Sequence, residues 1–236
     1  MTKPEKKPER RLRPSARPAK RTPQRKGQAP ARRTQAERSA ETRGRLLDAA
    51  VQLIRLRGAD GFATEEVSAR AGVSRGAQRH HFPTKNALIV ATLEHLRDAM
   101  IKNAELQIAA SYGPSKILDA VIDDALNFFF GDFFYMTLLL MMSDERNGEA
   151  RDAARALMRE SRLGVERKWE ARLQEAGLPP DLTADLLALT LSIMRGFAVR
   201  RLILDEGDRY QRLIGVWREM ARDYLRARRA QAKAIV

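Results

Sequence analysis

The stretch Thr64-Glu-Glu-Val-Ser-Ala-Arg-Ala-Gly-Val-Ser-Arg-Gly-Ala-Gln-Arg-His-His-Phe-Pro-Thr-Lys85 decides the fold of the first part of the chain. Thr64 predicts the N-cap of a short helix, and Gly72 predicts a tight turn after it, because glycine adopts positive φ at low cost. Ser74 predicts the cap of a second short helix, which Phe82-Pro83 ends, because a residue before proline disfavours helical backbone. Two short helices joined by a glycine turn predict a helix-turn-helix.

Helical patterns continue on both sides of this stretch. An apolar stripe predicts a helix from about Ala40 to Arg57, ended by Gly58, and Thr84 predicts the cap of a long fourth helix. Because such folds lay the second short helix in the major groove of DNA, its exposed side is the candidate reading surface. The candidate DNA contacts are Thr64, Ser74, Arg75, Gly76, Ala77, Gln78, Arg79, His80 and Lys85.

Each type of candidate has a physical role on DNA. The Arg75 side chain can donate two hydrogen bonds to a guanine, and Gly76 lets the backbone approach closely. Thr64 and Ser74 lie at helix N-termini, whose free amides suit phosphate oxygens. Arg79, His80 and Lys85 are predicted to contact phosphates. Such contacts position the helix on DNA without reading its sequence.

Residues 41–90 carry a pattern that covers about 50 residues of this chain. It consists of Thr42-Arg-Gly-Arg-Leu-Leu-Asp-Ala-Ala50, Gly58, Gly61-Phe62, Thr64, Val67, Ala71-Gly-Val-Ser-Arg-Gly76 and His80-His-Phe-Pro-Thr-Lys85. This pattern resembles the N-terminal domain of the TetR family of transcriptional regulators. Where that family usually has Leu-Tyr, this chain has Gln78-Arg79. Position 78 faces inward in the family, so Gln78 either finds a buried partner or reaches DNA, and Arg79 replaces the phosphate contact of the tyrosine.

The resemblance implies an all-helical C-terminal domain that binds a small molecule and dimerises. It also implies a sequence-specific repressor that a small-molecule effector releases from a palindromic operator. The helical pattern agrees with an all-α fold, with predicted spans of 115–130, 132–143, 148–176, 181–204 and 208–230, and with Asp181 and Asp208 as predicted caps. The predicted domains are a helix-turn-helix domain at 37–90, a ligand-binding and dimerisation domain at 91–230 and a tail at 231–236.

A segment that is apolar nearly all round, Phe128–Met142, is predicted to be buried or to line a cavity. The candidate ligand contacts within it are Phe128, Asp132, Phe133, Met136 and Met141. Simple core packing is the alternative for each of them. Asp132 either faces a cavity, where it would pair with a cation, or is exposed at the start of a helix.

The last two predicted helices carry apolar faces that suit a four-helix bundle between two subunits. The candidate interface residues are Leu186, Leu189, Ile193, Gly196, Phe197, Leu213, Trp217 and Met220. Packing within one subunit is the alternative. A two-fold dimer would present two recognition helices about 34–36 Å apart, at successive major grooves.

The charge of the chain is unevenly placed. Residues 1–36 hold 13 of the 44 Lys/Arg, 2 of the 30 acids and six of the ten prolines, in a chain of net charge +14. This composition predicts a disordered basic arm that either binds phosphates or is an inert tail or a misassigned start. Such an arm also leaves a second function open, a ligand-independent DNA-binding architectural protein or co-regulator.

The sequence carries few signals of an enzyme, a metal site or a membrane span. The chain has no Cys, its three histidines (His80, His81 and His95) offer no ligand set, and no phosphate-binding loop follows a strand, so no enzyme, cofactor or metal is expected. Phe128–Met142 is 15 residues long and contains Asp132, whereas a membrane span needs about 20 apolar residues. We therefore expect no membrane association and a cytoplasmic protein bound to the bacterial nucleoid.

Overall fold

A computed structural model describes residues 34–143, 148–204 and 206–234, with the side chains of 232–234 left out. These residues form helices and no strand, which confirms the all-α fold. In chain order they are α1 (Gln35–Arg57), α2 (Thr64–Ala71), α3 (Arg75–His81), α4 (Lys85–Ala110), α5 (Pro114–Phe129), α6 (Asp132–Met141), α7 (Gly148–Glu175), α8 (Pro180–Arg201) and α9 (Gly207–Ala234).

The first helix begins earlier than the sequence pattern predicted. The Thr34 hydroxyl accepts a hydrogen bond from the Glu37 amide (3.2 Å), and the Glu37 carboxylate accepts one from the Thr34 amide (2.7 Å). This reciprocal capping box satisfies two amides that would otherwise lack partners. Residues 35 and 36 are therefore helical rather than part of the predicted arm, and residues 1–33 of that arm lie outside the described part of the chain.

The turn signals of the helix-turn-helix are confirmed. Gly58 ends α1 with φ 74° and Gly72 ends α2 in the left-handed region with φ 63°, a conformation that a Cβ would strain. The Ser74 and Thr84 hydroxyls accept from the amides three residues later, at 3.2 and 3.0 Å. Phe82 ends α3 as predicted.

Three predicted caps are wrong. Thr64 is the first residue of α2, whose N-cap is Ala63; the Glu66 carboxylate accepts from the Ala63 amide (3.1 Å) and does the capping. Asp181 and Asp208 each lie second in their helices instead of preceding them. At α8 the proline pair sets the start, because Pro180 fits the first turn, where no amide partner is needed.

Helix α4 joins the two halves of the molecule. Its first turns bury Leu88, Ile89 and Leu93 against the core, where α4 packs on α1, and its later turns pack on α5, α6 and α7. Helix α8 packs on α5 and α7. Helix α9 packs on α5, where Arg218 and Arg222 reach the Asp119 carboxylate at 3.2 and 2.9 Å.

By length and composition alone, α8 could cross a membrane, and so could α5 and α6 together if their 47° bend counted as one span. Both elements bury side chains in the core, including Leu186 and Met194 of α8 and Ile122 and Met136 of the bent pair. A core helix passes the same test of length and composition, and these helices contribute buried side chains to the core.

Candidate nucleic-acid interface and effector cavity

Four of the predicted DNA contacts form one exposed surface on α3. Arg75, Gly76, Arg79 and His80 are exposed and line a shallow depression of about 470 Å³; we call these four residues the recognition surface. A Cβ built on Gly76 meets no atom within 4 Å, so the space above this residue is open to an approaching backbone. Three side chains of donor type around a glycine suit contact with base edges and phosphates.

Gln78 belongs to the core of the domain, and its predicted contact with DNA is wrong. The residue is only 6% exposed, and its amide Nε2 donates to the Phe82 carbonyl at 2.9 Å. A polar side chain in this inward position is stable because the carbonyl that ends α3 gives it a partner. Of the two alternatives that the sequence left open, the buried hydrogen bond is the one observed.

Lys85 has a structural role that the sequence did not predict. Its ammonium donates to the Phe62 carbonyl at 2.8 Å and to the Asp60 carbonyl at 3.2 Å, and lies 4.5 Å from the centre of the Phe62 ring. Partial burial lowers the pKa of Lys85, while the charges of Asp60 and Glu66 oppose that shift. Lys85 thus ties the start of α4 to the loop between α1 and α2, and we expect these contacts, rather than the phosphate contact that the sequence predicted, to hold its ammonium.

Helix α2 is held on α1 by polar contacts on either side of a buried centre. Arg57 donates to the Glu66 carboxylate at 2.9 Å, and Arg70 donates to the Gln52 amide oxygen at 2.6 Å. The hydrogen bond from the Ala63 amide, followed by that from Arg57, lowers the pKa of Glu66. Val67 is fully buried between these contacts. The pose of α2 fixes the direction of α3, since only Gly72, Val73 and Ser74 separate the two helices.

A larger cavity of about 580 Å³ lies in the second half of the chain, among the ends of α5 and α6, α7 and α8. Its wall is mainly apolar, and its ionisable members are Arg159, Arg162, Glu166 and Arg195. Its apolar members are Phe128, Phe129, Phe134, Leu138, Met141, Met158, Leu163, Ala188 and Leu191. Cavities of this size and character bind small organic molecules.

A smaller cavity of about 240 Å³ lies where α6 and α8 meet α1. Asp132 lines it and pairs with Arg55 of α1, whose Nε is 3.2 Å from the carboxylate. Phe129, Phe134 and Leu138 line both cavities, so these side chains form a shared wall.

The candidate ligand contacts therefore separate into three groups. Phe128 and Met141 line the larger cavity, as the sequence predicted for a cavity wall. Asp132 lines the smaller cavity and already has a cationic partner in Arg55. Phe133 and Met136 are buried and line neither cavity, so the alternative of core packing is correct for these two.

Sequence reasoning missed Arg162 and Asp124, which are 7% and 2% exposed. Arg162 Nη1 donates to Asp124 Oδ2 at 3.1 Å, and Trp169 Nε1 donates to the same oxygen at 3.0 Å. The available signal was weak: both charged residues occupy positions of α5 and α7 that the apolar spacing assigns to the buried face.

The candidate interface residues of α8 and α9 are mostly accessible in the single chain. Leu189 and Met220 are exposed, with Ile193, Phe197, Leu213 and Trp217 half-buried and Gly196 exposed. Val216 and Tyr224 extend this exposed apolar face along α9. Leu186 is the exception: it is 2% exposed and packs within its own chain, so its predicted place in an interface is wrong.

Among the described residues, no group of three or more His, Cys, Asp or Glu side chains is placed to hold a metal ion. His95 lies on the surface of α4, where its Nε2 is 3.7 Å from an Asp48 carboxylate oxygen.

Comparison with known proteins agrees with this geometry. The sequence profile of the tetR family of bacterial regulatory proteins matches residues 46–92, which contain α2 and α3. The HTH-type transcriptional regulator CymR of Pseudomonas putida is 37% identical over 195 residues, which cover 83% of this chain and 96% of the relative.

Solved structures share the fold at low sequence identity. A putative transcriptional regulator from Saccharomonospora viridis, in complex with choline, is 17% identical with a TM-score of 0.59, over 79% of this chain and 96% of that one. The regulator FadR from Bacillus subtilis, in complex with stearoyl-CoA, is 17% identical with a TM-score of 0.53, over 75% and 96%. The sequence matches CymR along nearly the whole length of that protein, and the structure contains the helix-turn-helix. The chain therefore belongs to the tetR family of bacterial regulatory proteins and is a helix-turn-helix transcriptional regulator.

Proposed function

We propose that this regulator is a homodimeric repressor, which leaves a near-palindromic operator when a small molecule fills the larger cavity. The observation that carries the proposal is the position of α4. Only three residues separate this single helix from α3, and it runs on to pack against α5, α6 and α7, whose residues line the cavity. A displacement of α4 by a bound molecule would therefore move the recognition surface.

The recognition surface supports the DNA half of the proposal. Arg75 stands at the first position of α3, where a side chain in the major groove reaches base edges. Arg79 lies one turn further along, and His80 follows it. We assign base reading to Arg75 and phosphate contact to Arg79 and His80.

The larger cavity supports the ligand half. Two relatives with the same fold hold organic molecules, choline in one and stearoyl-CoA in the other. If the ligand prefers one spacing of the two recognition helices and DNA prefers another, each lowers the affinity of the protein for the other by the same factor. The Arg55–Asp132 pair gives α6 a second contact with the DNA-binding half, besides α4.

The apolar face of α8 and α9 supports the dimer. Leu189, Ile193 and Phe197 follow one another at four-residue spacing on α8, and Leu213, Trp217 and Met220 follow at four- and three-residue spacing on α9. Helices with such faces bury them in four-helix bundles. Within the cytoplasm, a two-fold dimer would reach two half-sites of nucleoid DNA about one helical turn apart.

Selection of bound fragments from a random duplex library tests the proposal with the full-length protein. We expect a near-palindrome with half-sites about 10 bp apart, and a Kd that weakens by about tenfold or more for Arg75→Ala. Arg167→Ala, an exposed arginine of α7, is the matched control and should leave the Kd unchanged.

Two outcomes would contradict the proposal. If selection returned no preferred sequence and binding fell steeply with salt, a ligand-independent architectural role driven by the basic segment 1–36 would fit better. If a molecule bound in the larger cavity without changing the Kd for the operator, the coupling between the two halves would be refuted.

A further inference from the structure

Arg162 is a buried cation at the wall of the larger cavity with one hydrogen-bonding group left over. It is 7% exposed, its Nη1 donates to Asp124 at 3.1 Å and its Nε donates to Glu166 at 2.9 Å. Its Nη2 is buried and has no acceptor among the residues that the structure describes. Buried charged donors without an acceptor are costly, and native proteins keep few of them.

The two acids beside Arg162 differ in how firmly they are held. Asp124 is 2% exposed, and the same oxygen that meets Arg162 also accepts from Trp169 Nε1. Glu166 is half-buried, lines the larger cavity and sits one turn along α7 from Arg162. Asp124 is thus enclosed in the core by two donors, whereas the Glu166 carboxylate is partly open to solvent and accepts from Arg162.

The rest of the cavity wall combines apolar surface with positive charge. The Arg162 guanidinium lies 4.8 Å from the centre of the Phe128 ring, and Phe134, Leu138 and Leu191 continue the apolar wall. Arg159 and Arg195 add two more cations, while Glu166 is the one acid among the lining residues of this cavity. A molecule that matches this wall has an apolar body and an anionic group.

Given the effector role proposed above for the larger cavity, on which this inference rests, we propose that the effector is a small organic acid. Its carboxylate takes the Nε and Nη2 edge of Arg162 in place of the Glu166 carboxylate. Arginine offers two parallel donors on such an edge, and a carboxylate accepts both of them. Asp124 and Trp169 stay in place and hold the guanidinium towards the cavity. Glu166 therefore occupies the position of the ligand's carboxylate until the ligand arrives.

Calorimetric titration of the full-length protein tests this assignment with three probe acids: octanoate, phenylacetate and 2-naphthoate. Each is compared with its neutral primary amide. We expect at least one acid to bind, and its amide to bind at least about tenfold more weakly, because the amide offers one neutral acceptor oxygen where the carboxylate offers two charged ones to the guanidinium edge.

Two variants locate the contact. Glu166→Gln removes the competing carboxylate and should tighten acid binding about threefold or more. Glu160→Gln, an exposed residue of the same helix, is the matched control and should leave it unchanged. Arg162→Lys keeps a cation beside Asp124 but loses the second donor of the edge, and should weaken acid binding about tenfold. Thermal denaturation checks that each variant is folded.

Each contrary result has a definite meaning. Four results would overturn the assignment. Two concern the parent protein: amides that bind as well as their acids, or no acid binding up to about 10 mM in both the parent protein and Glu166→Gln. The other two are weaker acid binding in Glu166→Gln and unchanged acid binding in folded Arg162→Lys. Operator binding followed in the same samples separates it from the function proposed above. An acid that binds through Arg162 without releasing the operator supports the assignment and refutes the effector role. A neutral amide that releases the operator supports the effector role and overturns the assignment.

Discussion

Gly76 is a glycine that the fold itself does not require. Its backbone is helical, and a Cβ placed on it meets no atom within 4 Å. Packing within the chain therefore gives no reason for a glycine here, whereas a DNA backbone lying against α3 would.

We expect Gly76→Ala to leave the fold intact and weaken operator binding. Alanine favours helix over glycine, so the free energy of unfolding should rise by about 0.5–1 kcal/mol. The Kd should weaken about tenfold or more, because the added methyl group holds α3 away from the groove. Thermal denaturation and fluorescence anisotropy with labelled operator measure the two effects.

Gly164 of α7 supplies the control, because a Cβ there also meets no atom within 4 Å and the residue lies far along the chain from α3. Gly164→Ala should raise stability and leave operator binding unchanged. If Gly76→Ala bound operator as tightly as the parent protein, close approach of DNA at this residue would be excluded.

At the scale of the elements, Lys85 determines how α4 meets the loop between α1 and α2. We expect Lys85→Met to lower the free energy of unfolding by about 1 kcal/mol, because the carbonyls of Asp60 and Phe62 lose a charged donor. The slope of log K for operator against log salt concentration should stay the same, since the ammonium is committed to the loop. Arg79→Ala, which removes the proposed phosphate contact, should reduce that slope by about one unit for each half-site. A slope change in Lys85→Met equal to that in Arg79→Ala would instead make Lys85 a phosphate contact.

At the scale of the whole molecule, the exposed apolar face of α8 and α9 is the feature that a single chain does not explain. We expect the double variant Leu189→Glu with Met220→Glu to sediment as a monomer, because four buried carboxylates would face each other across a two-fold interface. Operator binding should weaken about a hundredfold, since a monomer holds only one half-site. Leu106→Glu replaces an equally exposed leucine on α4 and should sediment like the parent protein. A double variant that remained dimeric would place the interface elsewhere.

Local signals in the sequence predicted much of the fold and part of the site. Gly72, Ser74 and Thr84 act on amides or dihedral angles within three residues of themselves, so their effects could be read directly. Gln78 was ambiguous because its partner, the Phe82 carbonyl, becomes available only where α3 ends. The contact between Asp124 and Arg162 joins residues 38 positions apart and depends on how α5 packs on α7, which no local pattern encodes.

The rings of Phe129 and Phe134 separate two chambers, one lined by Arg162 and the other by the Arg55–Asp132 pair. Because both cavities share these rings, a shift of either ring that enlarges one cavity reduces the volume of the other. Replacing Phe134 with a smaller side chain would enlarge the first chamber and also loosen the packing beside α1. A bulky ligand that pushes this ring would instead press it towards α1. For the effector role proposed above, selectivity for the bound molecule and the response to it are consequently linked at Phe134, so that variation in one trait brings variation in the other.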